Sequence, residues 1–191
     1  MKTITSSYST MTEIKRSKFI THLVPYDSYE GLQELLKREH PKANHVVYAL
    51  RYLNSFDQIV ENSSDDGEPK GCAGVPALNV LRGEELVNVA VLIVRYFGGI
   101  KLGTGGMARA YAQAVKDVLD AAAFVSYEKP ASYLFETDYS SVESVMYRLR
   151  KIGIERVERD FDVDCVRWHI EASESQVAQF KALNGQVTIN I

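Results

Sequence analysis

Between Arg95 and Arg109 the chain reads RYFGGIKLGTGGMAR, with glycine at positions 98, 99, 103, 105 and 106. Glycine reaches backbone angles closed to other residues and lets a ligand or another stretch of backbone approach closely. An apolar run over residues 87 to 94 precedes the segment and a long helical pattern follows it. A strand, a glycine turn and a helix start together present free N–H groups and the positive end of a helix dipole to an anion. The candidate anion or nucleic-acid contacts are Arg95, Lys101, Gly103, Gly105, Gly106 and Arg109, with the three cations facing one phosphate. A purely structural turn, whose glycines let helix and sheet pack tightly, accounts for the same residues. The sequence leaves both open.

Two familiar nucleotide motifs fail on this segment. A Walker loop needs a Gly-Lys pair followed by Ser or Thr, and residues 98 to 106 contain none. Gly103, Gly105 and Ala108 satisfy the GxGxxA spacing of a dinucleotide fold. The preceding FGGIKL is too long for its tight turn, and no strand with a ribose-binding acid follows about 20 residues on.

A second constellation, SSDDGEPKGCAG, spans residues 63 to 74. Asp65, Asp66 and Glu68 are of the type that ligates hard metals or forms an acid and base pair. The DxDxDG rhythm of a calcium loop is absent. The alternative is a solvated acidic turn shaped by Gly67 and Pro69, in which Glu68 or Asp66 pairs an arginine; Asp66, Gly67, Glu68 and Pro69 are accordingly the supporting loop of the site. His22, His40, His45 and His169 form no HxH or HxxxH pattern, so no metal is expected. Cys72 with His45 has the composition of a nucleophile and base, but a core thiol and a strand histidine are the far commoner origin of the same residues. Cys72 and Cys165 form no CxxC pair and are expected as free thiols. Lys15, Arg16 and Lys18, beside Phe19, are the types that touch a phosphate backbone or simply line a charged turn.

These residues must be held by the elements around them. Residues 11 to 24 read as a strand, or as two joined near Arg16; residues 29 to 39 as a short amphipathic helix closed by Pro41; residues 45 to 53 as a strand. Residues 54 to 74 read as a long loop, and a short helix ends at Gly83. The run VNVAVLIV is apolar on both alternating faces and fits a central strand covered on both sides. In the helix that follows, Ala108, Tyr111, Ala112, Val115, Leu119 and Ala122 form one face, opposite Arg109, Gln113, Lys116, Asp117 and Asp120. After a linker at residues 127 to 131, strand, helix, strand, strand, helix and strand follow to residue 191, the ferredoxin-like β-α-β-β-α-β order.

A chain of 191 residues, 46% hydrophobic and 25% charged, can bury two modest cores. The expected class is α+β, with domains at residues 1–130 and 131–191. Net charge is −3. Residues 1–130 carry 15 basic and 15 acidic side chains, and the remainder 7 and 10. Binding of a polyanion must therefore come from a local patch. The N-terminus lacks the apolar core of a signal peptide and no stretch approaches a membrane span, so the expected compartment is the cytoplasm.

Taken together, DDGEPKGCAGVPAL (residues 65 to 78), VRYFGGIKLGTGGMARAY (residues 94 to 111) and the RSKFI at residues 16 to 20 resemble the signature of the IMPACT family, in its bacterial form. The resemblance implies, for the first domain, a fold with a left-handed β-α-β unit like that of a ribosomal-protein domain and domain four of elongation factor G. For the second it implies a ferredoxin-like domain similar to the last domain of that factor. The family's eukaryotic members resemble translational regulators, so it implies a translational process, with RNA, the ribosome or a translation-associated protein as partner. Two departures are visible: Cys72 stands where the pattern usually has threonine in GTAG, and Val46 and Val47 follow His45 where aromatic and histidine residues are usual. The expected function is a non-enzymatic, cofactor-free regulator or accessory factor docking through the glycine and arginine loop. The alternatives are an enzyme acting on a small phosphorylated or nucleotide ligand, and a protein-interaction module working through the sheet face of the second domain.

Overall fold

A computed structural model describes residues 1–184. The chain divides after Tyr127 into two compact units, three residues before the boundary set from sequence. The class is α+β in both.

The first unit comprises β1 (Lys2–Thr3), β2 (Tyr8–Ile14), β3 (Ser17–Pro25), α1 (Leu32–Glu39), β4 (His45–Leu53), β5 (Ile59–Ser64), α2 (Gly74–Gly83), β6 (Val89–Tyr96), α3 (Thr104–Asp120) and β7 (Val125–Ser126). Five of the strands form an antiparallel sheet in the order β2-β3-β6-β4-β5. Strands β3 and β4 run parallel to each other on either side of β6, joined through α1. Strand β6 is the middle of the sheet, and Val89 to Arg95 are all buried, as its two-faced apolar run predicts. One face packs on α2 and α3 through Phe19, Leu23, Val47, Val91, Ile93, Leu81, Tyr111 and Val115. The other packs Leu92, Val94, Val46 and Leu50 on Leu36 of α1, with Tyr26, Tyr29, Tyr48 and Tyr52 around them. Burial of this order is what stabilises the unit, at roughly 1.5–3 kcal/mol for each large apolar side chain.

Two expectations for this unit are corrected, and one strand pair is added. Residues 59–64, read as loop, form β5 against β4; as an edge strand with a polar, half-exposed pattern it lacks the apolar alternation that marks a strand. The buried side of α3 is Met107, Ala110, Tyr111, Ala114, Val115, Val118 and Leu119, so the stripe is rotated from the one read from sequence and Ala108 and Ala112 lie at its margin. The pair β1 and β7, with two residues in each strand, is too short to leave a periodic signal.

The turn between β2 and β3 is made by Lys15 and Arg16, both left-handed at φ 47° and 66°. Left-handed turns of this kind suit the twist of a hairpin. Gly98 packs on that turn: a Cβ there would lie 2.0 Å from the Arg16 carbonyl carbon and 2.3 Å from the Ser17 nitrogen. The Gly98 N–H also donates to Ser17 Oγ at 3.1 Å. The glycine loop is thereby held on the basic hairpin tip.

The second unit holds β8 (Ala131–Thr137), α4 (Val142–Lys151), β9 (Val157–Phe161), β10 (Val166–Ala172) and α5 (Glu174–Asn184). Its antiparallel strands lie in the order β8-β10-β9, the arrangement a ferredoxin-like domain requires of its first three strands. Tyr133, Phe135, Leu149, Ile154, Trp168 and Phe180 form its core. The strand expected at residues 187 to 191 lies outside the described residues.

Candidate anion-binding cleft

Strand register assembles the centre of the site. Phe19 and His45 both pair with Arg95 across neighbouring strands, so the three side chains form a row on the face that α3 covers. Tyr111 descends from α3 and meets the Phe19 ring edge-on, centroids 5.2 Å apart. Glu68, from the loop after β5, enters beneath them. Its Oε1 accepts from Arg95 Nη1 and from the Tyr111 hydroxyl, the latter at 2.8 Å, and its Oε2 lies 3.7 Å from His45 Nε2. Arg95 and Glu68 are 5% and 7% exposed. The guanidinium lies 5.7 Å from the Phe19 ring centre and 5.9 Å from that of Phe97. Burial first, and then the Glu68 carboxylate, push the Tyr111 phenol far upward, so it remains a donor.

The acidic turn proves to be scaffolding. Asp65 Oδ1 accepts from the N–H groups of Ala73 at 3.0 Å and Gly74 at 2.8 Å, and its Oδ2 from Gly71 at 2.8 Å. Burial pushes the Asp65 carboxyl upward, but these donors outweigh it and hold the group below its usual value. Asp66, at φ 44°, accepts from the Val46 N–H at 2.7 Å and from Lys37 Nζ at 2.6 Å. It orients no arginine; that part of the sequence expectation is met by Glu68 alone. The Asp66 carbonyl receives His45 Nδ1 at 2.7 Å. A carbonyl only accepts, so Nδ1 carries the proton and Nε2 faces Glu68. Gly67, at φ 87°, follows with its Cα against the imidazole: a Cβ would stand 3.5 Å from Nδ1. Among the described residues no group of three or more His, Cys, Asp or Glu side chains is placed to hold a metal. Cys72 and Cys165 are free thiols.

Above the Arg95–Glu68 pair opens a cleft of about 440 Å³, lined by His45, Pro69, Arg95, Phe97, Lys101, Gly103 and Thr104 among others. Asn44 Oδ1 accepts the Phe97 backbone N–H at 2.8 Å and so holds the Phe97 backbone at its edge. Helix α3 starts at this cleft. Gly103, at φ 71°, is its N-cap; no side chain caps it and no acid occupies the first turn. The Met107 N–H is used by the Gly103 carbonyl at 2.8 Å, while Thr104, Gly105 and Gly106 precede the first intrahelical bond and leave their N–H groups free of partners within the helix. Lys101 and Gly105 are exposed.

Arg109 is placed elsewhere. It is exposed, crosses Gly105 with Nη1 3.5 Å from where a Cβ would stand, and lines a separate hollow of about 290 Å³ with Lys15, Gly106 and Gln113. The expectation that Arg95, Lys101 and Arg109 face one phosphate is therefore corrected: Arg95 lies beneath one cleft, Lys101 at its rim, and Arg109 in the next. The sequence does not mark Tyr111 and Asn44 as site residues, nor the approach of His45 to Glu68. No local signal marks them, because cross-strand register brings them together.

The domain family described as the Impact N-terminal domain matches residues 15–119. An IMPACT family member of Haemophilus influenzae is 32% identical over 173 residues, 89% of this chain and 84% of the relative. YigZ of Escherichia coli matches with the same 32% identity and the same coverage of both chains. A crystal structure of a hypothetical protein, 28% identical, aligns over 98% of this chain and 95% of its own with a TM-score of 0.65. With the motif-bearing loops and the strands between them inside these matches, the chain belongs to the IMPACT family, as one of its bacterial, YigZ-like members.

Proposed function

We propose that this protein is a non-enzymatic accessory or regulatory factor linked to translation, which binds RNA through the surface around the start of α3. The observation that carries the reading is the uncapped, acid-free N-terminus of α3, with Gly105 and Gly106 in its first turn and exposed Lys101 and Arg109 on either side. Such a helix start draws phosphate by dipole and N–H groups together. The resemblance of the family's eukaryotic members to translational regulators supplies the process. The state of the acids favours binding over catalysis: Glu68 is taken by Arg95 and Tyr111, and Asp66 by Val46 and Lys37, so neither is free as a general base. Among the described residues no helix is long and apolar enough to cross a membrane.

The test is RNA affinity of Lys101→Ala and Arg109→Ala across a range of salt. Each lost phosphate contact lowers the log–log salt slope by about 0.7 on a single strand. Slopes equal to wild type in both variants would refute the reading.

A further inference from the structure

The two hollows stand on either side of Leu102, which lines both, and they differ in charge. In the larger, Arg95 is neutralised by Glu68 at the floor, and the uncompensated positive groups are Lys101 and the helix start at the rim. The smaller is a pair of cations, Lys15 and Arg109, with Gln113 beside them. A neutral floor with a positive rim suits an uncharged ring inside and a phosphate at the edge. We infer that the ligand is an unpaired strand of RNA: one base seats in the larger cleft against Phe97, its phosphate rests on the start of α3, and the neighbouring phosphate lies between Lys15 and Arg109. This rests on the anion-binding reading above and specifies its ligand.

Two observations besides the helix terminus point into the cleft. Phe97 is 45% exposed at its mouth, with a guanidinium lying 5.9 Å from the ring centre; an aromatic ring presented in this way is the platform on which unpaired bases stack. Arg95 lines the same cleft while more than nine-tenths buried, and its Nε has no hydrogen-bond partner among the described residues. Buried N–H donors are ordinarily satisfied, so an orphan beside an open cleft is a place for a ligand acceptor. The volume is that of a small-molecule pocket, far more than one phosphate requires. A paired base would have to leave its stack to enter, which selects against duplex.

Fluorescence anisotropy with labelled RNA of about eight nucleotides, within the usual site size for unpaired strands, tests this. The arms are the single strand, the same strand annealed to its complement, inorganic polyphosphate as competitor, and an acidic peptide as competitor. The single strand should bind at least about tenfold tighter than the duplex. Phe97→Ala should weaken it about five- to 140-fold, the range of one base–aromatic stack, and leave polyphosphate binding unchanged. Phe97→Leu, which keeps apolar bulk and protects the fold, should lose most of the same affinity, and Phe97→Trp should keep it. The double variant Lys15→Ala with Arg109→Ala removes both cations from one phosphate and should lower the salt slope by about 0.7. Equal binding of single strand and duplex, or unchanged affinity in Phe97→Ala and Phe97→Leu, overturns the seated base while anion binding stands. An acidic peptide competing as well as RNA also overturns it. No binding of either RNA or polyphosphate by the wild-type protein defeats both readings.

Discussion

Arg95 and Arg109 bound the same glycine-rich segment, yet the fold gives them opposite surroundings. Arg95 sits in the central strand with its guanidinium beneath α3, bonded to Glu68 and lying near Phe19, Phe97 and the Met107 sulfur. Arg109 lies five residues into α3, exposed, over the glycines of its first turn. The parity of a strand residue decides which face it takes, and the phase of a helical residue decides whether it meets solvent. One arginine is therefore part of the core's polar network and shapes the cleft from below. The other is free to meet a ligand. Basic residues that look equivalent in a motif can thus divide between structure and recognition.

That division can be broken most sharply at Glu68. Glu68→Ala strands the buried Arg95 charge and leaves the Tyr111 hydroxyl without its acceptor, so unfolding stability should fall by about 3–5 kcal/mol. Urea denaturation measures it, and a loss under about 1 kcal/mol would mean that the pair carries no buried charge. Gly98→Ala comes next. Its Cβ would overlap the Arg16 and Ser17 backbone, and displacement of the glycine loop from the hairpin tip should cost about 1–3 kcal/mol and weaken RNA binding as well. A Gly98→Ala protein with wild-type stability and affinity would show that the loop is not seated on the hairpin.

Asp65→Asn tests the acidic turn with a smaller effect, about 1 kcal/mol near neutral pH, the usual net magnitude of a hydrogen bond. Its pH dependence follows from the direction of the shift. The folded carboxyl is held below the usual aspartate value, so its contribution is full above that value and is lost as pH falls through the folded one. The gap between wild type and Asp65→Asn should therefore begin to narrow at about pH 5 and go on narrowing as pH falls below about 4. A gap constant over that range would remove the carboxylate's charge from the holding of the turn. The smallest effect on stability belongs to Arg109→Ala, within about 0.5 kcal/mol as for an exposed side chain. Its effect should appear in RNA binding. A large thermal destabilisation there would erase the contrast with Arg95.

Much of this architecture is legible in the chain because the relevant signals are local. The continuous apolar run at residues 87 to 94 marks a strand covered on both sides, and β6 is that strand. The alternation of buried and exposed residues along β10, from Val166 to Ala172, is that of a half-buried strand. The two-part glycine motif is specific enough to mark the family. Strand β5 was illegible for the opposite reason: Ile59 to Ser64 form an edge strand with few apolar positions, and only pairing with β4 makes them regular. The stripe of α3 was misjudged by part of a turn because alanines stand on both sides of it, leaving little contrast in hydrophobicity.

The site divides along the same line. By itself the sequence determined that glycines, cations and a carboxylate-rich turn would lie in two motifs, that a helix follows the glycines, and that any binding of a polyanion must be local. Each of these depends on residue type and on neighbours a few positions away. Only the tertiary structure decided that Glu68 meets Arg95 across 27 positions and Tyr111 across 43, that Asp65 and Asp66 serve the backbone, and that the two arginines face separate hollows. Those outcomes depend on cross-strand register and on the placement of α3 over the sheet. A slip of one residue in strand register would exchange the buried and exposed side chains of that strand.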